Sequence, residues 1–146
     1  MSFIFDKEQI KDMHTIISLY KKFDRYKSYT REDIYYHILP SFKLKQYKIH
    51  KNGENVIAFT NWAFLNKEAE DKFIKTGELD SWNCGDKLWH IDTICVKSLR
   101  KVMAWTKKHF AETLGLHQPI NWLRISNDNK IYRKQTRFTK ESWLNG

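Results

Sequence analysis

The segment from Trp82 to Ile94, with the sequence WNCGDKLWHIDTI, contains the side chain best suited to chemistry. Asp92 lies in its apolar second half, between Ile91 and Ile94. A carboxylate in an apolar strand faces burial, and a buried carboxylate needs hydrogen-bonding partners or a raised pKa. Two roles are open on these residues alone. Asp92 takes part in acid–base chemistry, or it accepts structural hydrogen bonds from a neighbouring loop.

Other sequence motifs of known chemistry are absent. The chain has no P-loop, no H-E-x-x-H, no G-x-S-x-G and no Rossmann glycine fingerprint. Its six histidines and its two cysteines, Cys84 and Cys95, show no metal-ligand spacing, so we expect neither a metal site nor a disulfide framework. The first residues, MSFIFDKEQIK, do not resemble a signal peptide, which predicts a cytoplasmic protein.

Composition predicts one globular domain over residues 1–146. Hydrophobic residues make up 41% of the 146 positions and aromatic residues 15%, which excludes intrinsic disorder. No apolar run approaches 18 residues, so we expect no membrane-spanning helix. The net charge of +9 favours acidic partners, which include nucleic acid, anionic lipid and acidic proteins.

Periodicity and capping signals predict nine elements in the order α-α-β-β-α-β-α-β-β. The expected helices are Asp6–Phe23, Thr30 to Pro40, Asn66–Lys75 and Leu99–Phe110, with Asp6, Thr30 and Ser98 as N-caps. The expected strands are Phe42–His50, Asn55–Phe64, Leu88–Val96 and a final hairpin over Ile120–Phe138 that turns near Asn127–Asn129. Gly85 and Asp86 are typical of a turn. These elements predict an α/β or α+β domain, with helices flanking a mixed, mostly antiparallel sheet.

Short motifs distributed along the chain resemble the HlyC family of toxin-activating lysine acyltransferases. The main one is W-x-x-G-D-x-x-W-x-I-D, which ends at Asp92. The others occur in the family's order and are Ile38-Leu39-Pro40, Gln46-Tyr47, Ile57-Ala58-Phe59, Asn61-Trp62-Ala63 and Lys107-Lys108-His109-Phe110. The resemblance runs from about Ile38 to Phe110 and more weakly to Phe138.

This resemblance implies a fold similar to the GNAT acyltransferases, often as a dimer. It also implies transfer of a fatty acyl group from acyl carrier protein to internal lysines of a protoxin, inside the producing cell. The family's catalytic pair is a histidine and an aspartate, and the aspartate corresponds to Asp92. The family histidine corresponds to a position near Tyr26, where this chain has no histidine between Asp24 and Tyr36.

His37 is the candidate substitute for the missing histidine. A lysine amine must lose a proton before it attacks a thioester, and Tyr26 is a poor base at pH 7. His37 stands where the family commonly has an asparagine close to its catalytic pair. The alternative is that His37 only caps the C-terminus of its helix, three residues before Pro40.

His90 is a less favoured candidate. It lies two positions before Asp92, so a regular strand would place both side chains on one face. The alternative, a half-buried strand histidine with a satisfied nitrogen, is the expected one.

A carrier-protein donor fits the turn Val96–Arg100 better than coenzyme A does, because this turn has no glycine for binding a pyrophosphate. We expect no bound cofactor and a donor that is carrier-protein-linked or peptide-linked. Five basic residues could meet an acidic carrier protein, although most charged helix faces are only solvated. They are Lys97, Arg100, Lys101, Lys107 and Lys108.

The short chain and the altered histidine favour one branch of the family, which matures siderophore-microcins. In that role the protein joins a siderophore to the C-terminus of a microcin, together with a larger partner subunit that would supply ATP-dependent activation. Fatty acylation of protoxin lysines is the first alternative, and a non-catalytic accessory subunit is the second. The third is a nucleic-acid-binding module, which the basic segment Arg124–Lys140 allows but no RNA-binding motif supports.

Overall fold

The computed structural model describes residues 5–125 and 132–145. These residues form one α+β domain of four α-helices and a five-stranded mixed sheet. The helices are α1 (Lys7–Tyr20), α2 (Arg31–Leu44), α3 (Lys67–Thr76) and α4 (Leu99–Leu114). The strands are β1 (Tyr47–Asn52), β2 (Asn55–Leu65), β3 (Lys87–Cys95), β4 (Pro119–Ile125) and β5 (Tyr132–Phe138). Short 3₁₀ turns cover Asp24–Tyr26 and Glu141–Asn145. The predicted order of elements is therefore confirmed.

The sheet has the order β1-β2-β3-β4-β5, and all neighbours are antiparallel except β3 and β4. This parallel pair is short, because only Leu88–His90 pair with Ile120–Trp122. The two strands thus part at the centre of the sheet, immediately before Asp92.

Helices cover both faces of the sheet. On one face, α1 and α2 bury an apolar cluster that includes Phe59 and Ile94, and α3 covers the neighbouring cluster around Trp89. On the other face, α4 and the 3₁₀ turn at Glu141–Asn145 pack against Trp62 and Leu88. Alternating side chains of the central strands thus contribute to two opposite layers of the core.

Helix α2 extends past the predicted stop at Pro40 and ends at Leu44, where Lys45 adopts a left-handed conformation with φ 56°. A proline in a helix removes one backbone donor, but burial of Ile38 and Phe42 on either side holds this helix against the core. Two predictions are therefore wrong. The first strand starts at Tyr47 instead of Phe42, and His37 lies inside the helix instead of in its last turn.

The predicted N-caps are largely confirmed. Asp6 and Thr30 both form complete capping boxes, with Gln9 and Asp33 respectively. Ser98 precedes α4 but its side chain makes no capping bond, because the residue adopts a left-handed conformation at φ 61°. The strands of the final hairpin, β4 and β5, pair as predicted, whereas its turn at Asn127–Asn129 lies outside the described residues.

Gly85 is required for packing rather than for turn geometry. A Cβ atom built on it would lie 2.4 Å from the backbone of Leu65 and Asn66. The segment around Gly85 is held there by backbone bonds to the Phe64 carbonyl, which accepts from the N–H groups of Cys84 and Gly85. The loop before β3 therefore lies directly on the end of β2.

We expect Gly85→Ala to lower the free energy of unfolding by about 1–3 kcal/mol, because the new methyl group meets backbone atoms that cannot move aside cheaply. Urea denaturation measures this loss. Gly53→Ala is the comparison variant. Its methyl group meets open space, so this variant bears only the backbone cost of the positive φ of 65° and should lose less stability than Gly85→Ala. An equal loss in both variants would contradict the crowding argument.

Candidate active site

The carboxylate of Asp92 accepts hydrogen bonds from three side chains that come from three different elements. The Tyr20 hydroxyl, at the end of α1, donates to Oδ2 over 2.9 Å. The Tyr26 hydroxyl, in the 3₁₀ turn, donates to Oδ1 over 2.8 Å. The Nε2 atom of His37, on α2, lies 2.6 Å from Oδ2. Asp92 is only 5% exposed, so these partners replace the water that the carboxylate has lost.

Local structure explains this convergence. Tyr20 ends the buried stripe of α1, and Tyr26 follows in a 3₁₀ turn before the Thr30 capping box starts α2. The rings of Tyr20 and Tyr26 meet edge-to-face at 4.9 Å. Each phenol packs its ring into the core while its hydroxyl reaches the carboxylate, which is a common arrangement for buried tyrosines.

A β-bulge at Ile91 aims the Asp92 side chain at the helices. Asn61 pairs with Asp92 and the next residue, Trp62, pairs with His90, so Ile91 is the extra residue on β3. The Oδ1 atom of Asn61 accepts the backbone N–H of Asp92 over 2.8 Å. The bulge places Ile91 and Asp92 toward α1, α2 and α3, because a bulge breaks the normal alternation of side chains.

The prediction that His90 shares a face with Asp92 is wrong for the same reason. The imidazole of His90 packs against Phe110 of α4, with ring centroids 5.5 Å apart. Its Nε2 atom is hydrogen-bonded to the Thr93 hydroxyl over 2.8 Å. His90 therefore lies on the α4 side of the sheet and has the satisfied nitrogen that the alternative interpretation expected.

The electrostatic environment of the cluster keeps Asp92 ionised and the hydroxyls of Tyr20 and Tyr26 protonated. Burial favours the neutral acid, but the His37 charge and the hydrogen bonds from His37 and Tyr26 outweigh it and hold the pKa of Asp92 below its usual value. Burial and the Asp92 charge raise the pKa of both Tyr20 and Tyr26 above 10, so both phenols stay protonated.

An ionised Asp92 can only accept, so the hydrogen bond requires a proton on Nε2 of His37. In neutral His37 the Nδ1 atom is then the acceptor, and no described residue forms a hydrogen bond with it. This is the arrangement in which a carboxylate fixes the tautomer of a general base. The alternative role of His37 as a helix C-cap is excluded, because α2 continues for two turns beyond it.

A polar cavity of about 370 Å³ opens onto this cluster from the face that α1, α2 and α3 cover. The His37 side chain is 28% exposed, so a ligand can reach the imidazole while Asp92 stays buried behind it. Trp82 also lines this cavity, and its ring meets that of His37 edge-to-face at 6.1 Å. The geometry supplies a buried carboxylate, an oriented imidazole and space for a reacting group.

A second cavity, of about 400 Å³, lies on the α4 side of the sheet. Apolar side chains dominate its wall, and they are Met103, Phe110, Ile120, Trp122, Leu123 and Trp143. Ile91, Asp92 and Leu123 border both cavities. The two cavities thus approach one another where β3 and β4 part.

The five predicted partner-binding residues do not face one surface. Lys101 lines a groove that it shares with Lys48 and Lys51 of β1. Lys107 instead lines the apolar cavity, with its ammonium group 5.8 Å from the Trp143 ring centroid. Lys97, Arg100 and Lys108 are exposed. Their role in binding a partner stays a prediction.

Sequence reasoning missed two members of the cluster. Tyr20 has the spacing of the apolar stripe of α1, which predicts a core residue and gives no sign of its hydroxyl bond. The sequence indicates Asn61 only as part of the Asn-Trp-Ala motif, yet this residue is fully buried and its Oδ1 atom accepts the backbone N–H of Asp92. A polar residue in the middle of an apolar strand was the signal for Asn61.

The described residues contain no group of three or more His, Cys, Asp or Glu side chains that could hold a metal ion. Among them there is also no helix with the length and apolarity needed to cross a membrane.

Burial lowers the pKa of His90 to about 4, although the Asp92 charge opposes the shift. The unfolded chain takes up this proton near pH 6.5, whereas the folded protein resists it down to about pH 4. Stability should therefore fall as the pH drops from 6.5 to 4. We expect His90→Gln to lose less stability than the wild type between pH 7.5 and 4.5 in urea denaturation. The variant should still lose some stability on acidification, because burial also lowers the pKa of His50 to about 4. Parallel curves for variant and wild type would contradict the prediction.

Known proteins similar to this chain are named as toxin-activating lysine-acyltransferases or as a protein-lysine palmitoyltransferase. ApxIIC, an RTX-II toxin-activating lysine-acyltransferase from Actinobacillus pleuropneumoniae, is 33% identical over 60 residues, which are 39% of this chain and 38% of that protein. LtxC, a leukotoxin-activating lysine-acyltransferase from Aggregatibacter actinomycetemcomitans, is 31% identical over 99 residues, or 64% of this chain and 57% of that protein. The protein-lysine palmitoyltransferase CyaC from Bordetella bronchiseptica is 28% identical over 75 residues, which are 45% of this chain and 40% of that protein.

These matches span between about two fifths and three fifths of each relative's own length. The family comparison covers much more of this chain. The model of the RTX toxin acyltransferase family, HlyC, matches residues 6–142, which include every member of the Asp92 cluster. The chain therefore belongs to the RTX toxin acyltransferase family.

Proposed function

We propose that this protein is an acyltransferase that modifies lysine side chains of a bacterial toxin protein. The observation that carries the proposal is the 2.6 Å contact between His37 and the buried Asp92 at the wall of an open cavity. This pair occurs in a chain of the RTX toxin acyltransferase family, and its relatives are named as lysine acyltransferases.

In the proposed reaction, the lysine amine attacks the carbonyl carbon of an acyl thioester. The new C–N bond forms as the amine transfers a proton to Nδ1 of His37, and the C–S bond then breaks. The departing thiolate takes up a proton, which returns the imidazole to its neutral form. Asp92 keeps the ring oriented and stabilises the imidazolium that forms during the reaction.

The apolar cavity on the α4 side favours a donor that carries an apolar acyl chain over a donor that is polar throughout. Its wall is mainly aliphatic and aromatic, and the cavity approaches the His37–Asp92 dyad at the gap between β3 and β4. In this proposal the donor is an acyl carrier protein, whose acidic surface would meet exposed basic residues such as Lys97 and Arg100. The reaction would take place in the cytoplasm of the producing cell.

Siderophore-microcin maturation, which the sequence analysis favours, is no longer the preferred function. The relatives described above are named for toxin activation or protein-lysine acylation, and none is named for microcins. Joining a siderophore to a peptide C-terminus with a larger partner subunit and ATP therefore becomes an outcome of the test. The same holds for the accessory-subunit and nucleic-acid alternatives.

The test is to express the protein in a bacterium with and without a candidate RTX protoxin, and to read modified residues by mass spectrometry. Long-chain acyl groups on protoxin lysines, formed only with this protein, support the proposal. A siderophore on a small peptide, formed only with a second subunit, would replace it with the microcin role. Salt-sensitive oligonucleotide binding without any modification would favour the nucleic-acid role.

A further inference from the structure

The loop between α3 and β3 supplies one wall of the polar cavity. Glu78, Leu79, Asp80 and Trp82 all line it, together with His37 of α2. The loop is fixed at both ends. Gly77 closes α3 by donating to the Phe73 carbonyl, and the Phe64 N–H donates to the Trp82 carbonyl. The main chain of this loop is therefore held at the cavity that contains His37 and Asp92.

The two carboxylates of this loop differ in their partners. Asp80 forms an ion pair with Lys72 of α3, so its charge is already compensated. Glu78 is exposed and forms no ion pair within the described residues. Among the described acidic residues that border the cavity, Asp92 is buried and bonded and Asp80 is paired with Lys72. Glu78 is within electrostatic range of Lys72 but forms no ion pair with it, so its carboxylate can still bind a cationic ligand directly.

Aromatic side chains stand at the same cavity. Tyr29 and Tyr36 border it with 40% and 61% of their surfaces exposed. Such surfaces suit the methylene stem of a long amphipathic side chain, whose charged end stays in polar surroundings. The cavity also contains a cation, Arg25, whose guanidinium group lies 5.3 Å from the Tyr26 ring centroid. The positive group comes from the segment before α2 and the negative group from the segment after α3.

We propose that the polar cavity is the acceptor site and that Glu78 selects a primary ammonium group at the end of an aliphatic stem, as in a lysine side chain. The ammonium binds to the Glu78 carboxylate while the stem lies against Tyr29 and Tyr36. This inference rests on the proposed function, because it assigns the acceptor to the same site. A charge-assisted hydrogen bond of this kind improves binding by about tenfold or more.

The test measures binding without any acyl donor. N-acetyl-lysine methylamide and N-acetyl-norleucine methylamide differ at the ammonium group, and each is titrated into the protein while the Trp82 indole signal is followed by NMR. Comparison with the spectrum of Trp82→Phe assigns that signal. We expect the wild type to bind the lysine compound about tenfold more tightly, and Glu78→Gln to lose this preference.

Glu112→Gln is the matched control, since Glu112 is an exposed glutamate on α4, outside this cavity. It should keep the wild-type preference. A preference that persists in Glu78→Gln, or is absent from the wild type, overturns the inference. The outcomes remain separate from those of the proposed function. A protein that prefers the lysine compound but transfers no acyl group would support the acceptor site and refute the acyltransferase, and active transfer without the preference would do the reverse.

Discussion

Replacing Asp92 with asparagine should reduce acyl transfer by about 10³–10⁴-fold while leaving the fold intact. In other enzymes, loss of the carboxylate charge behind a catalytic imidazole costs about 10⁴-fold. The same reasoning applies here, because the Asp92 carboxylate accepts from His37 at 2.6 Å and determines which ring nitrogen carries the proton. An amide could also donate to Nε2, and this would leave the base with the wrong tautomer.

The effect is one of positioning, so the assay needs a readout besides activity. In the wild type, the hydrogen-bonded Nε2 proton of His37 should give a low-field NMR signal, and this signal should disappear in Asp92→Asn. Asp86→Asn is the matched control, because it makes the same substitution at an exposed position in the same motif. Circular dichroism verifies folding. Retained transfer in folded Asp92→Asn would remove this carboxylate from the mechanism.

Much of the fold follows from local sequence signals. The predicted N-caps Asp6 and Thr30 immediately precede the first residues of α1 and α2, so they mark the starts of both helices correctly. These signals act through neighbouring residues, so they are visible in the sequence. Pro40 does not end α2 as its local effect predicts, because that effect is outweighed by the burial of Ile38 and Phe42 in the core.

The site was predictable in part. Asp92 stands out because a carboxylate between two isoleucines must find partners, and His37 emerged from the need for a base. The bulge at Ile91 was not predictable, since it depends on how β2 pairs with β3. That single extra residue separates His90 from Asp92 and also turns Asp92 toward Tyr20 and Tyr26. A strict alternation rule therefore gave the wrong partner for the carboxylate.

The positions of Tyr26 and His37 suggest how this chain differs from its family. The resemblance implies a histidine near Tyr26 and an asparagine at His37. Here both side chains contact the same carboxylate, Tyr26 at Oδ1 and His37 at Oδ2. The two oxygens of Asp92 thus offer two places for an imidazole, and this chain has its imidazole on α2.

This relation leads to the second prediction. His37→Asn should lower transfer by about 10²–10⁴-fold, because the general base is lost. Tyr26→Phe should have a much smaller effect, because it removes only one of the three side-chain hydrogen bonds to Asp92. The double variant Tyr26→His, His37→Asn should recover a substantial part of the activity, since it places an imidazole beside Oδ1.

The test compares rates of acyl transfer to a lysine acceptor for the three variants at one pH. Recovery in the double variant would show that either oxygen of Asp92 can orient the base. If the double variant is folded and as inactive as His37→Asn, the position on α2 is itself required, and the reacting groups must approach from the side that α2 borders. If His37→Asn retains full activity, the imidazole is not the base, and the buried contact with Asp92 serves only to hold α2 against the sheet.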